Sequence, residues 1–132
     1  MEAFELHALV EPLPHNQVAW QEFLRSPALS MGIYRLPVGS TDPQKPHSED
    51  EVYLVHSGCG VIRVGSEDRP VQPGTLVYVP ALVEHRFHSI SQELTVLVCF
   101  APAEYTNRKV EATTQASSTD FADYADARAV NL

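Results

Sequence analysis

Two histidines and one glutamate near the middle of the chain carry side chains that bind divalent metals. His47 and Glu51 stand four residues apart, and His85 follows a proline-rich segment. Two imidazoles and a carboxylate form the ligand set of many mononuclear sites, including the facial arrangement of non-haem Fe(II) enzymes. Because residues four apart on a straight strand are about 13 Å apart, these side chains converge only if the chain bends near Pro46.

Strand alternation supplies the faces on which these side chains lie. Along the segment that contains Glu51, the odd-numbered residues His47, Glu51 and Tyr53 share one face, whereas His88 lies on the face opposite His85. A barrel whose interior received the first of these faces and His85 would bring two imidazoles and one carboxylate to one point. Glu49 and Asp50 flank this site, and we expect them to form a solvated charge cluster.

The elements that must position this site are predicted to be short strands, separated by many of the ten prolines. Turns are predicted at 58–60, 65–68 and 91–93. Residues 18–24 fit both a strand and a helical face. The pattern predicts an all-β sandwich or barrel. The predicted strands are 29–36, 51–57, 61–64, 75–79, 85–90 and 94–100.

The C-terminal part of the chain differs in character from the rest. Residues 105–119 are polar and predict a linker. Phe121 and Tyr124 fall on one face of a short helix for which Asp120 is a candidate N-cap. The predicted organisation is one barrel domain over 1–104, followed by a linker and a short helical tail over 105–132.

Composition excludes several classes of function. The 132 residues suit one domain, and the net charge of −8 argues against binding nucleic acid or an anionic membrane. The N-terminus carries acids where a signal peptide needs basic residues, and Cys59 and Cys99 form no metal-spaced or redox pair. We therefore expect a cytoplasmic protein that acts on or binds a small molecule.

Two spaced motifs make the sequence similar to the small single-domain cupins. The first motif of that family is G-x5-H-x-H-x3-E-x6-G and the second is G-x5-P-x-G-x2-H-x3-N. This chain departs from the first at Lys45, and from the second at Leu82 and Ser89. The matching stretches are Gly39-x5-Lys45-x-His47-x3-Glu51-x6-Gly58 and Gly74-x5-Pro80-x-Leu82-x2-His85-x3-Ser89.

The resemblance implies a jelly-roll β-barrel with one divalent metal ion per subunit held inside one end. Carried over by position, His47, Glu51 and His85 are the metal ligands, and Lys45 occupies the fourth ligand position. A protonated lysine cannot ligate a metal, so the site is predicted to have three protein ligands and open positions. In the alternative interpretation, Lys45 pairs with Glu51 in a metal-free interior. The carbonyl of Gln44 is a further candidate substitute ligand.

The function that this resemblance implies is oxygenase-, isomerase- or cyclase-like chemistry on a small organic molecule, with Fe, Mn, Zn or Ni as the ion. The alternative is a non-catalytic cupin that binds a small ligand. No catalytic residue is identified, although Tyr53 and Lys45 are candidates. A homodimer is predicted, because Phe4, Trp20 and Phe23 need a surface against which to be buried.

Overall fold

The chain is built almost entirely from antiparallel β-structure, as the sequence predicted. The computed structural model describes residues 1–106, and the predicted C-terminal helix lies outside the described residues. Among residues 1–106, no helix is both long enough and apolar enough to cross a membrane. The elements are α1 (Leu6–Val10), β1 (Ala19–Ser26), β2 (Leu29–Leu36), β3 (Asp50–Val64), β4 (Glu67–Val71), β5 (Leu76–Val79) and β6 (His85–Ala101).

Two long strands dominate the sheet. β3 has 15 residues and β6 has 17, and they pair with each other from Asp50↔Ala101 to Val64↔His85. The strand order is β1-β2-β6-β3-β4, and β5 pairs with the first part of β3. One continuous ribbon of two strands therefore carries Glu51 near one end and His85 at the other.

The turns predicted at 58–60 and 91–93 are wrong, because both segments lie inside long strands. Instead of reversing the chain, residues 55–61 form a series of register shifts between β3 and β6. Gly58 has φ +91°, and a Cβ atom there would lie 2.0 Å from the carbonyl oxygen of Glu93. Glycine at this position therefore allows two backbones to approach closely at a bulge, where a strand bends and twists.

These bulges fold the two-stranded ribbon back over itself. His85 pairs with Val64, which is thirteen residues beyond Glu51 along β3. On a straight strand that separation would be about 43 Å. In the structure, however, Nε2 of His85 lies 3.0 Å from Oε1 of Glu51. The bend in the ribbon therefore brings its two ends together and creates the site.

The interior of the curved sheet holds the main apolar core, and the N-terminal helix covers part of its outer face. Residues 18–24, which fitted two structures in the sequence, contribute to β1. Trp20 is buried and packs edge-on against Tyr34 and Phe100. Phe23 lies in the outer cluster beneath the helix and contacts Phe4 with ring centroids 5.1 Å apart. Trp20 and Phe23 are packed within the chain while Phe4 stays 43% exposed, so only part of the reason given for a homodimer remains, and the homodimer stays a prediction.

Candidate metal centre

The loop between β2 and β3 carries His47 into the barrel, and the bend expected near Pro46 lies in this loop. Its backbone is fastened to β6 by two hydrogen bonds, from Gly39 N to Ile90 O and from Asp42 N to Phe87 O, each 3.0 Å long. The carbonyl of His47 accepts a hydrogen bond of 2.7 Å from the backbone N–H of Leu82. The loop before β6 thus fixes the backbone of the histidine.

Leu82 holds a backbone conformation that normally favours glycine. Its φ is +68°, in the left-handed region, and it stands where the second family motif has glycine. The motif glycines Gly39 and Gly74 also have positive φ, at +77° and +93°. Leu82 therefore adopts the backbone conformation that suits the glycine of the motif, at a cost in backbone strain.

Glu51 and His85 form the centre of the site. Glu51 is completely buried and His85 is 4% exposed, and their Oε1 and Nε2 atoms are 3.0 Å apart. They form a buried ion pair at this distance, and apart from each other Nε2 and the two carboxylate oxygens have no hydrogen-bond partner. The other ring nitrogen, Nδ1, lies 2.9 Å from the carbonyl of Val83 and donates its proton to it. When the imidazole is neutral, its lone pair is thereby left on Nε2, beside the carboxylate.

Burial and charge act in opposite directions on His85. Burial alone lowers the pKa of the imidazole, but the adjacent Glu51 carboxylate and the Val83 carbonyl raise it, and the pKa is raised overall. Without a metal, His85 is therefore the group that compensates the charge of Glu51. The same nitrogen and oxygen atoms would face a cation if one were bound.

His47 lies in the same interior, 6% exposed, with its ring centroid 6.1 Å from that of His85. Its Nε2 atom is 3.1 Å from Oε1 of Gln44. Its Nδ1 atom faces the buried carboxylate of Glu104 at 3.9 Å. One ring nitrogen therefore points to an amide oxygen and the other to an acid.

A network of buried polar groups fixes the side chain of Gln44 by hydrogen bonds. Asp42, 3% exposed, accepts hydrogen bonds from the Tyr34 hydroxyl at 2.7 Å and from the Gln44 amide nitrogen at 2.6 Å. The same amide nitrogen donates to the Tyr53 hydroxyl at 2.7 Å. Tyr53 thus lies in the core and accepts a hydrogen bond there, and its ring centroid is 6.1 Å from that of His85.

Lys45 does not replace a histidine inside the barrel. Its side chain is exposed, whereas its neighbour Gln44 is buried. Within the described residues, the charged partner of Glu51 is His85. Lys45 is exposed and Glu51 is completely buried, so the structure favours His85 over Lys45 as the partner of this carboxylate.

Of the acids that flank the site, only Asp50 behaves as expected. Asp50 is exposed and caps the backbone N–H of Ala81 at 2.8 Å. Glu49 is 2% exposed, which corrects the expectation of a solvated cluster. Its carboxylate accepts hydrogen bonds from the Ser48 hydroxyl and from the backbone N–H of Tyr105. The chain beyond β6 continues over Glu49 and excludes it from water.

Sequence reasoning missed two buried acids beside the site. Asp42 lies inside the first motif at a position that the motif leaves open, among other polar residues, so no local signal marks it as buried. Glu104 follows the last strand, beyond both motifs, and no spacing relates it to His47. Neither residue has a local pattern, because both are placed by loops.

The residues present fit a divalent ion in part. Among residues 1–106, no group of three or more histidine, cysteine, aspartate and glutamate side chains is arranged to hold a metal. The partial fit rests on His85 and Glu51, whose adjacent buried donor atoms lack hydrogen bonds. His47 also presents its Nε2 away from an acid, and a carboxylate facing the second nitrogen is the usual environment of a ligating histidine.

Comparison with known proteins agrees with the motifs and the barrel. Residues 32–101 match the family model of the cupin domain, and the chain belongs to the cupin family. It is 50% identical over 104 residues to the protein SCO3923 of Streptomyces coelicolor, a match that covers 79% of this chain and 99% of the relative.

Solved structures show the same fold. TT1209 from Thermus thermophilus is 28% identical, with a TM-score of 0.66 over 78% of this chain and 99% of that chain. The DMSP lyase DddQ from Ruegeria pomeroyi is 19% identical, with a TM-score of 0.63 over 72% of this chain and 50% of that chain. The fold is therefore shared with at least one enzyme.

Proposed function

We propose that this cupin binds one divalent metal ion per chain through His47, Glu51 and His85, and that it acts there on a small organic molecule. The observation that carries the proposal is the contact of 3.0 Å between Glu51 and His85, whose facing atoms are buried without hydrogen bonds. Buried polar atoms of a folded protein are nearly always satisfied, and a bound cation would satisfy this pair.

The charge of Glu51 supports a cation as that ligand. An ionised carboxylate in an apolar interior is costly unless it is paired or coordinates a metal. A neutral imidazole with its free nitrogen beside the carboxylate is a donor pair for Fe, Mn, Zn or Ni. Because Val83 holds the proton on Nδ1, His85 does not need to reorient before it binds.

When bound, the ion would supply a Lewis acid that polarises a substrate oxygen, or redox chemistry with O2 in the case of iron or manganese. The chain supplies the surroundings. Phe100 packs edge-on against His47, with ring centroids 4.7 Å apart, and keeps water from the imidazole. The amide nitrogen of Gln44 donates to the Asp42 carboxylate and to the Tyr53 hydroxyl, which fixes these three side chains next to the site. Such a rigid, buried environment strengthens electrostatic interactions with a substrate.

A second function is favoured by the raised pKa of His85. Burial lowers this pKa, yet contact with Glu51 outweighs it, so a protonated His85 can neutralise the carboxylate without any metal. In that case the protein is a binding module for a small ligand. The sharing of the fold with the DMSP lyase DddQ supports the enzyme, although the barrel is compatible with both functions.

Elemental analysis of protein purified without added metal tests the proposal, with His85→Ala and Glu51→Gln as variants that should lose the ion. His88→Ala is the matched control, because His88 lies on the outer face and pairs with Asp68. Bound iron or manganese with oxygen consumption would support an oxygenase. Bound zinc or nickel would support isomerase or lyase chemistry. A metal-free protein that retains a small molecule in native mass spectrometry would contradict the metal proposal and support the binding module.

A further inference from the structure

We propose that Ser89, His88 and Asp68, here called the surface triad, form a second reactive site on the outer face of the sheet. The acyl group of a small carboxylic ester is transferred there to the serine hydroxyl and then to water. This inference goes beyond the proposed function, because none of the three residues belongs to the candidate metal centre.

The first argument is the contact between the three side chains. The hydroxyl of Ser89 lies 2.9 Å from Nδ1 of His88, and Nε2 of the same ring lies 2.8 Å from Oδ1 of Asp68. Nucleophilic catalysis needs a nucleophile within hydrogen-bond distance of a base, and a third group that orients the base. The surface triad has this arrangement, because the imidazole joins a hydroxyl to a carboxylate.

The second argument is the direction of these hydrogen bonds. Hydrogen bonds from Arg63 first, and from His88 second, lower the pKa of Asp68 to about 2. An ionised carboxylate only accepts hydrogen bonds, so Nε2 of His88 carries the proton that is donated to Asp68. In the neutral imidazole, Nδ1 is then the acceptor. It faces the hydroxyl proton of Ser89, as a general base requires.

The third argument is a bulge in β6 that redirects Ser89. Neighbouring side chains of a regular strand lie on opposite faces, so a regular strand would keep Ser89 away from His88. Val61 and Cys59 are two residues apart on β3, whereas their partners His88 and Gln92 are four residues apart on β6. The extra residues form a bulge, and bulges change the direction of side chains. The hydroxyl is thereby brought beside the imidazole.

Backbone strain accompanies this change of direction. Ser89 has φ +49°, in the left-handed region that is strained for residues other than glycine. The second family motif has asparagine at this position, and asparagine adopts the left-handed region more readily than most residues. The departure from the motif at Ser89 therefore costs strain and adds a nucleophile.

The fourth argument is access for a substrate. Ser89 is exposed, and the side chains of His88 and Asp68 are 28% and 39% exposed, so a solute can reach the hydroxyl. Arg63 contacts Asp68 and also lines a groove of about 230 Å3. The residues that line the groove are Arg63, Gly65, Glu84, His85 and Arg86. The groove therefore adjoins the surface triad.

Two guanidinium groups place positive charge along this groove. Arg63 and Arg86 are direct partners across β3 and β6. Like charges directly opposite each other are destabilising, and an anion between them would relieve the repulsion. Arg86 stands two residues before His88, about 7 Å along the strand and on the same face. The oxyanion that forms when Ser89 attacks an ester carbonyl is such an anion, and positive charge stabilises it.

The reaction needs only the ester and water. The hydroxyl oxygen of Ser89 forms a bond to the carbonyl carbon while Nδ1 of His88 takes the hydroxyl proton. The bond from this carbon to the leaving oxygen breaks, and the alcohol leaves with the proton from His88. Water then attacks the acyl-serine in the same way, which gives the carboxylic acid and restores the serine. Asp68 is a positioning residue, because it acts through His88.

Acylation by 4-nitrophenyl acetate tests the surface triad. Wild type should release 4-nitrophenolate and carry an acetyl group on Ser89, located by mass spectrometry of its peptides. Ser89→Asn restores the residue of the motif, so it should fold and yet take up no acetyl group at this position. His88→Gln should be acylated about 100-fold more slowly or worse. Ser91→Ala is the matched control and should react like wild type, because the Ser91 hydroxyl is directed to the carbonyl of Cys59.

A second measurement locates the protons in wild type. At mildly alkaline pH, the 15N resonances of the His88 ring should show a protonated Nε2 and an unprotonated Nδ1, because Asp68 accepts from Nε2. Asp68→Asn offers an amide donor to the same nitrogen, so this variant should lose the signal of protonated Nε2 and react more slowly. A merely structural contact would not link the tautomer to the rate.

Three results would overturn the surface triad. They are an acetyl group on a residue other than Ser89, a Ser89→Asn variant that reacts as fast as wild type, and a proton on Nδ1 of His88 in wild type. EDTA-treated protein should react as fast as untreated protein, because no residue of the triad is a proposed metal ligand. A reaction lost with EDTA would assign the hydrolysis to a metal and would also overturn the triad.

Discussion

The chemistry of single residues in this protein is decided by how each side chain is buried. His85 and His88 are three residues apart on one strand, yet one meets a buried carboxylate and the other a surface aspartate. Lys45 and Gln44 are adjacent, yet only the glutamine reaches the interior. Residue type alone therefore does not identify the site, because the face and the loop decide which side chain takes part.

At the residue scale, Leu82→Gly should stabilise the protein. A non-glycine residue in the left-handed region destabilises the folded state by about 1–2 kcal/mol. Replacement by glycine removes this strain, but the greater freedom of glycine in the unfolded chain offsets about 0.5–1 kcal/mol of the gain. With φ at +68° and a side chain that is 73% exposed, Leu82 loses little packing when it is truncated. The free energy of unfolding should rise by up to about 1 kcal/mol in urea titrations.

Leu82→Ala is the control for this prediction, since alanine keeps the Cβ atom and therefore the strain. It should show no gain in stability. A glycine variant that is no more stable than the alanine variant would show that the positive φ of Leu82 costs no stability.

At the element scale, the bulges of β3 are the feature on which the site depends, and Gly58→Ala tests them. A Cβ atom there would lie 2.0 Å from Glu93 O, and φ is +91°. The variant should lose about 3 kcal/mol or more in unfolding free energy, because steric overlap is added to backbone strain. Gly74→Ala, with φ +93° and open space around it, should lose only about 1–2 kcal/mol. Equal losses of unfolding free energy in Gly58→Ala and Gly74→Ala would contradict the role of the bulge at Gly58.

The outer face of the same strands holds an acid-sensitive contact. Asp68 of β4 accepts hydrogen bonds from Arg63 of β3 and contacts His88 of β6 at 2.8 Å. Hydrogen bonding to Arg63 first, and to His88 second, lowers the pKa of Asp68 from 3.8 to about 2. A lowered pKa means that this contribution to stability is complete above pH 3.8 and is lost as the pH falls through about 2.

Comparison of wild type with Asp68→Asn in denaturant titrations at several pH values measures that contribution. The difference between the two proteins should be constant near neutral pH and shrink between pH 3.8 and about 2. A difference that does not change over this window would show that the surface contact contributes nothing through the charge of Asp68.

Much of the element content could be predicted from the sequence, and the site residues only in part. Alternation placed Glu51 and Tyr53 correctly on a buried face of β3, because period two is a local property, whereas the burial of His47 depends on the loop before that strand. The chain reversal predicted at Gly58 was wrong, because a glycine in a turn and a glycine in a bulge have the same local sequence. Asp42 and Gln44 could not be placed, because they lie in a loop whose backbone is held by hydrogen bonds to β6, which is distant along the chain.

At the scale of the whole molecule, the homodimer remains a prediction with a different physical basis. Two of the rings that motivated it, Trp20 and Phe23, are packed within the chain, but Val52, Leu76 and Tyr78 of the β3–β5 face are 39%, 65% and 57% exposed. An apolar strip of this kind is a candidate for pairing with a second copy. Light scattering at micromolar concentration should give the mass of a dimer for wild type and of a monomer for Leu76→Glu. A monomeric wild type would contradict the prediction.

The direct measurement of the metal site is isothermal titration of a divalent ion into EDTA-treated protein, with Mn2+ and Zn2+ as separate probes. We predict one ion per chain for wild type, no measurable binding for His85→Ala, and unchanged binding for His88→Ala, whose ring lies outside the barrel and contacts Asp68. Melting curves of all three proteins without metal show whether the variants are folded. If folded wild type binds neither ion, or if His85→Ala binds as tightly as wild type, Glu51 and His85 do not form a metal site.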